Sequence, residues 1–148
     1  MNINEDIVSD FNKGVIEEFR SNAGKVGGYF EGKDMLLLTT TGAKSGEPRV
    51  IPLVYSKDGD QIVIIASKGG APTNPDWRYN LLANPKVTVE IGTETYQATA
   101  TEVKGEERDR LYAAHAELYP GFKEYEEKTQ GIRVIPVFLL DLAAGQAA

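Results

Sequence analysis

"RVIPLVYSKDGDQIVIIAS", residues 49–67, sets two β-rich runs on either side of an Asp-Gly turn. A connection that short joins strands as a hairpin, and a hairpin is antiparallel. The pattern continues in both directions. "DMLLLTT" comes before it, and "KVTVEIG", "ETYQATATEV" and "IRVIPVFLLDL" come after; "IGTE" between two of these predicts a second hairpin. Six antiparallel strands are therefore expected. Helical patterns interrupt them from "NPDW" and across "GEERDRLYAAHAELYPGFKEYEEKTQ", so helices decorate the sheet instead of alternating with its strands. Ahead of the strands, Ile7, Phe11, Val15 and Phe19 recur at helical spacing with Val8 and Ile16 beside them. They predict an amphipathic helix ending near "NAGKVGG". The fold class is mainly β with flanking helices (α+β), built as a small antiparallel barrel or strongly coiled sheet. A single domain over 1–148 is expected, with a helix and connector over 1–28, the strand-rich core over 34–141 and a frayed tail over 143–148.

Composition removes several function classes. With 41% hydrophobic and 26% charged residues the chain has the balance of a globular protein, not of a disordered one. A formal net charge of -6 is the wrong sign for a nucleic-acid footprint. No cysteine and a single histidine leave no thiol nucleophile and almost no ligands for a metal, so no metal site is expected. "MNINEDIVSD" lacks the basic start and apolar stretch of a signal peptide, and no apolar run approaches membrane-spanning length. The leading helix carries a mainly acidic polar face, whereas membrane-surface helices are rich in Lys and Arg. A cytoplasmic protein without membrane association is the expectation.

Three stretches carry candidate chemistry. "TTTGAKSGEPRVIPLVY", residues 39–55, places Lys44 and Arg49 around a Gly42 to Gly46 turn. "TGAKSG" superficially resembles a phosphate-binding P-loop, but the order of residues is wrong and a strand follows in place of a helix. What remains is a turn whose N–H groups can converge on an anion, with Lys44 as a point charge and Arg49 as a planar fork; the competing reading is a solvated hairpin turn. "SKGGAPTNPDWRYN", residues 67–80, brings Lys68 and two glycines to a helix start, with Asn74 as candidate N-cap and Pro75 as first helical residue. Unpaired helix donors near Lys68 and Arg78 would make a second anion-friendly place, against ordinary capping with Trp77 in the core. In "LYPGFKEYE", Tyr119, Phe122 and Tyr125 are three residues apart and would share a helix face, as core or as a wall for a flat ring. His115 has no partner at motif spacing and reads as structural or exposed. Glu106, Glu107, Glu124, Glu126 and Glu127 read as solvated helix faces. With no reactive side chain in evidence, redox chemistry would have to reside in a bound cofactor.

Taken together and in order, "LLLTTTGAKSGEPRVIPLVY", "ASKGGAPTNPDWRYNLLANPKV" and "YPGFKEY" resemble the deazaflavin-dependent nitroreductase family over roughly residues 34–141. The resemblance implies a six-stranded split β-barrel, FMN-binding-like, and coenzyme F420, an 8-hydroxy-5-deazaflavin with a phospholactyl oligoglutamate tail. It places Lys44, Arg49 and Lys68 at the phosphate and nearby carboxylates, helped by N–H groups from Ala43 through Ser45 to Gly46, by Gly69, and by the helix start Asp76, Trp77, Arg78 and Asn80. Val50, Pro52, Val54, Ala66 and Ser67 would line the ring, with Trp77 and Phe122 close by. Tyr119 and Tyr125 would form a substrate wall, and Tyr125, Ser67 or solvent would donate the proton that follows hydride transfer to a small electron acceptor: a quinone, an enone or unsaturated lactone, or a nitro compound. FMN on the same barrel is the runner-up cofactor, a non-catalytic deazaflavin carrier the non-enzymatic alternative, and a homodimer a state the resemblance allows. Ala43 stands where close relatives often carry arginine and Phe122 where some carry tyrosine, so a different acceptor range is expected.

Overall fold

The structure is a computed structural model that describes the backbone of residues 3–142 and the side chains from residue 11 onward, Tyr29 excepted. The side chains of Ile7 and Val8 and the tail over 143–148 lie outside the described residues. Helix α1 (Ile3–Ser21) leads into strands β1 (Met35–Thr41), β2 (Pro48–Val54), β3 (Ser56–Asp58) and β4 (Gln61–Ile65). Helix α2 (Asp76–Ala83), strands β5 (Lys86–Ile91) and β6 (Glu94–Val103), helices α3 (Gly105–Leu118) and α4 (Gly121–Thr129), and strand β7 (Val137–Leu142) complete it.

All strands join one sheet of order β2-β1-β5-β6-β7-β4-β3, and every pairing is antiparallel. Both predicted hairpins form, β3 to β4 with Asp58 opposite Gln61 and β5 to β6 with Ile91 opposite Glu94. There are seven strands, not six, because "RVIPLVYS" breaks at Tyr55. Its first part pairs with β1 and its second with β4, at opposite edges of the sheet. A single residue spans only a few ångströms of chain, so Tyr55 draws the two edges together and the coiled sheet becomes a split barrel. Tyr55 is held there by its N–H donating to the Asp34 carbonyl at 3.0 Å and by its own carbonyl accepting from the Tyr119 hydroxyl at 2.8 Å. Pro52 is tolerated because β2 is an edge strand.

Alternation along the strands sorts side chains into an interior and two covered outer faces. Leu36, Leu38, Ile62, Ile64, Val87, Val89, Phe138 and Leu140 fill the barrel, where α2 adds Trp77 and Leu81. Met35 and Leu37 point the other way, onto Val15 and Phe19 of α1. Val63, Ile65, Val137 and Leu139 meet Leu111, Tyr112 and Ala116 of α3 and Phe122 of α4. Strands covered on both faces read as near-continuous apolar runs, which is why "MLLLTT" and "IVII" carry so little polar alternation. The last strand starts at Val137 rather than Ile132. The Ile135 carbonyl is taken by the Arg108 guanidinium at 3.1 and 3.0 Å, and the Pro136 carbonyl by the Ala66 N–H at 2.9 Å, so the segment before the strand serves as a loop.

Candidate functional site

The three motifs meet. Asn80, buried on α2, accepts from the Ala43 N–H at 2.9 Å and donates to Thr40 Oγ1 at 3.1 Å, while Asn84 Nδ2 reaches the Thr41 carbonyl at 3.5 Å. These contacts fasten the Gly42 to Gly46 turn to α2. On the other side, Gly70 has φ +81°, and a Cβ there would lie 3.2 Å from Tyr125 Cα and 3.1 Å from Lys128 Cδ. Only glycine lets the 68–70 turn close so tightly on α4.

Between these attachments the chain from Ser67 to Gly70 has an unusual conformation. Ser67 is right-handed helical, then Lys68 (φ +48°), Gly69 (φ +63°) and Gly70 (φ +81°) are all left-handed. A left-handed lysine is strained, and it follows a right-handed residue in the sequence of conformations that makes successive N–H groups converge. The Gly70 N–H donates back to Ser67 O at 3.0 Å and the Ala71 N–H to Lys68 O at 3.2 Å. The N–H groups of Ser67, Lys68 and Gly69 have no hydrogen-bond partner among the described residues. Lys68 Nζ, exposed beside them, reaches only Thr73 Oγ1, at 3.3 Å, among the described residues. Three convergent donors and an ammonium group suit an anionic appendage such as the F420 tail, so the residues present fit that cofactor.

Several expected contributions differ in detail. In the Gly42 to Gly46 turn the Ala43 N–H is used by Asn80 and the Gly46 N–H by the Gly42 carbonyl at 3.0 Å, which leaves the N–H groups of Lys44 and Ser45 without a partner among the described residues. Ser45 Oγ also accepts from the Glu47 N–H at 3.1 Å. Lys44 is exposed; Arg49, opposite Thr40 at the rim of the barrel, is 58% exposed and 3.6 Å from Glu47. Asn74 is not the N-cap, because its Oδ1 accepts from Arg133 at 2.8 Å and Pro75 takes the cap position. Trp77 is 6% exposed and packs on Phe138, ring centroids 5.9 Å apart, so its indole is core and only its backbone at the start of α2 faces outward chemistry. Exposed Asp76 brings a negative charge to that helix start. Arg78 forms a two-point pair with Glu102 at 2.9 and 3.2 Å. Burial pushes the Glu102 carboxyl up, but hydrogen bonds from Arg78 and Lys104 outweigh it and hold it below the usual carboxylate range. Val50 and Val54 pack toward α1 from the same strand face as Pro52, which leaves the β2 backbone along the free sheet edge as the part of this strand open to a ligand.

The aromatic triplet spans a helix break. Tyr119 caps α3, and Phe122 and Tyr125 lie on α4. Phe122 is buried under Tyr112 and His115. Tyr119 is half-buried, with its hydroxyl committed to Tyr55 O. His115 is fully buried, its Nδ1 2.7 Å from Ser56 Oγ and its Nε2 without a partner. Burial lowers its pKa to about 4, which makes it a neutral structural group. Glu126, expected to be solvated, pairs with Arg108 at 2.8 Å.

Two surface depressions lie apart from the Ser67 to Gly70 segment, one of about 380 Å³ at α3 and α4, the other of about 750 Å³ near Lys25, Lys33 and Tyr55. Arg108 in the first is already bound to Glu126 and the Ile135 carbonyl. In the second, Lys25 and Lys33 are matched by Glu18, Glu31 and Asp34. Both depressions mix acidic with basic side chains, whereas the face at Ser67 to Gly69 gathers consecutive unpaired N–H groups beside Lys68, which makes it the better candidate for an anion. Arg133 and Asn80 hold that face together over long sequence separations; Arg133 had no local signal to mark it.

Comparison with known proteins gives the same direction as the motifs. Residues 13–141 match the family described as F420H(2)-dependent quinone reductase. A Mycobacterium tuberculosis protein named F420H(2)-dependent quinone reductase is 39% identical over 126 residues, covering 82% of this chain and 83% of its own. A solved structure of an F420-H2 dependent reductase superposes with a TM-score of 0.67 at 42% identity, over 73% of this chain and 94% of that one. Another, described as a domain-swapped dimer, has a TM-score of 0.68 at 37% identity, over 93% of this chain and 99% of that one. The sheet with its flanking helices, the matched family and these relatives together make the chain an oxidoreductase that belongs to the F420H(2)-dependent quinone reductase family.

Proposed function

We propose that this chain holds coenzyme F420 across the face where its three motifs meet and reduces a quinone. The carrying observation is the run of unpaired N–H groups from Ser67 to Gly69 beside Lys68, packed on α4 through Gly70 and held by Arg133. Lys44, Arg49 and Lys68 attract the acidic tail, and the chain's overall net charge of -6 disfavours unrelated polyanions. The open edge of β2 and the backbone at Ser67 seat the flat ring; Ala66, expected beside it, is fully buried with its N–H on the Pro136 carbonyl and its own carbonyl on Arg133. When bound in reduced form, the deazaflavin supplies a hydride from its ring C5.

The protein's own part is placement and protonation. Tyr119 donates to Tyr55 O and so acts as a fixed wall, which leaves the Ser67 and Tyr125 hydroxyls, or solvent, to deliver the proton to the reduced acceptor. Enones, unsaturated lactones and nitro compounds are the further acceptor classes of this reading. A homodimer belongs to it as well, since a relative forms a domain-swapped dimer.

Anaerobic mixing of the protein with F420H2 and a quinone tests the proposal. Recovery of the oxidised coenzyme's absorbance should depend on both protein and acceptor. Tight binding without oxidation by any quinone, enone or nitro compound would mark a carrier instead.

A further inference from the structure

Arg133 stands in the loop before β7, outside all three motifs, yet it makes four hydrogen bonds to the segment that carries the second one. Its Nε donates to Ala71 O at 2.9 Å, Nη1 to Ala66 O at 3.2 Å and to Asn74 Oδ1 at 2.8 Å, and Nη2 to Ser67 O at 2.7 Å. All four acceptors are neutral. The other two well-anchored arginines of this region each have a carboxylate, Arg78 with Glu102 and Arg108 with Glu126. Arg133 has no carboxylate within ion-pair distance among the described residues.

The geometry has a direct consequence. In a trans peptide the C=O and the following N–H point in opposite directions. Gripping the carbonyls of Ala66 and Ser67 on the inner side therefore turns the N–H groups of Ser67 and Lys68 outward. Without Arg133 the Ala66 carbonyl would have no other donor among the described residues and the Ser67 carbonyl would keep only the Gly70 N–H, so both could rotate and the strained lysine would relax with them. The same guanidinium places an unneutralised positive charge directly behind those donors, where its field adds to theirs.

We propose that Arg133 is the positioning residue of the anion site: it presents the Ser67 and Lys68 N–H groups to the coenzyme's phosphate and reinforces them electrostatically from behind. This rests on the proposed F420 function and deepens it.

Binding, rather than turnover, reads it out. Two ligands are titrated, F420 and the same deazaflavin lacking the phosphate and tail, against wild type, Arg133→Gln and Arg133→Lys, with thermal melts to establish that each is folded. The expected result for Arg133→Gln is a loss of F420 affinity of about tenfold or more, with the tail-less ligand changed by less than about twofold. Arg133→Lys keeps the charge but not the four-point fork, and should recover part of the loss. If Arg133→Gln does not fold, a selective loss of F420 affinity in Arg133→Lys is the deciding result. Equal weakening of both ligands, or no weakening of either, overturns the proposal. A wild type that shows no preference for F420 over the tail-less ligand overturns the underlying anion site as well; a preference that survives in Arg133→Gln overturns the role of Arg133 alone.

Discussion

Trp77→Ala is expected to destabilise the fold by about 3–5 kcal/mol, the cost of deleting a large aromatic side chain from a packed interior. In a chain of this size that corresponds to a fall in melting temperature of the order of 10 °C. The indole lies among Leu81, Phe138 and the inward residues of five strands, and only its neighbours' limited collapse could fill the void. The consequence reaches the site because Asn80, one turn along α2, holds the Lys44 turn. Trp77→Phe retains most of the volume and should cost roughly half as much or less. Urea unfolding of both variants measures this. Should Trp77→Phe keep full stability but lose F420 affinity by an order of magnitude, the ring would belong to the cofactor site rather than the core.

The second large effect is a dependence of stability on pH set by His115. Burial lowers its pKa from 6.5 to about 4 in the folded chain. Below pH 6.5 the unfolded chain gains a proton that the folded one does not accept, so stability is full above that pH and falls as the solution is acidified towards pH 4. At about 1.4 kcal/mol per pH unit the loss accumulates to roughly 3 kcal/mol over that span, then levels off. The carboxylates Asp58 and Glu102, both held below their usual range by their arginine partners, contribute their own losses only at lower pH. The interval between pH 6.5 and 5 is therefore the histidine's own. Denaturant melts across it should show the slope in wild type and not in His115→Gln, which is itself less stable at pH 8 because Ser56 loses its 2.7 Å partner. A flat wild-type profile would contradict a neutral buried imidazole.

Local chemistry made much of the architecture legible. Asp-Gly and Gly-Thr turns announced two hairpins, and β-rich runs announced strands, though not that several of them are covered on both faces. The break at Tyr55 carried no turn residue; it is imposed by partners at Asp34 and Tyr119, which no local pattern reveals. For the site, the three stretches were recognisable, and the structure brings them together. Which of their atoms remain available was not. Asn80 and Arg133 were decisive there, the one consuming the Ala43 N–H and the other taking Asn74 away from its expected cap. Trp77 moved from the cofactor side to the core for the same kind of reason, since an aromatic residue at a helix start fits either role until its neighbours are known.

All of this depends on one electrostatic statement, that unpaired backbone donors and cations gathered from distant stretches grip an acidic tail. Fluorescence titration of the wild-type protein with oxidised F420 and, in parallel, with FMN over a series of salt concentrations addresses it directly. F420 should bind more tightly than FMN, and its affinity should drop progressively as salt screens the exposed cations. Equal or tighter binding of FMN, or F420 binding indifferent to salt, would contradict the account.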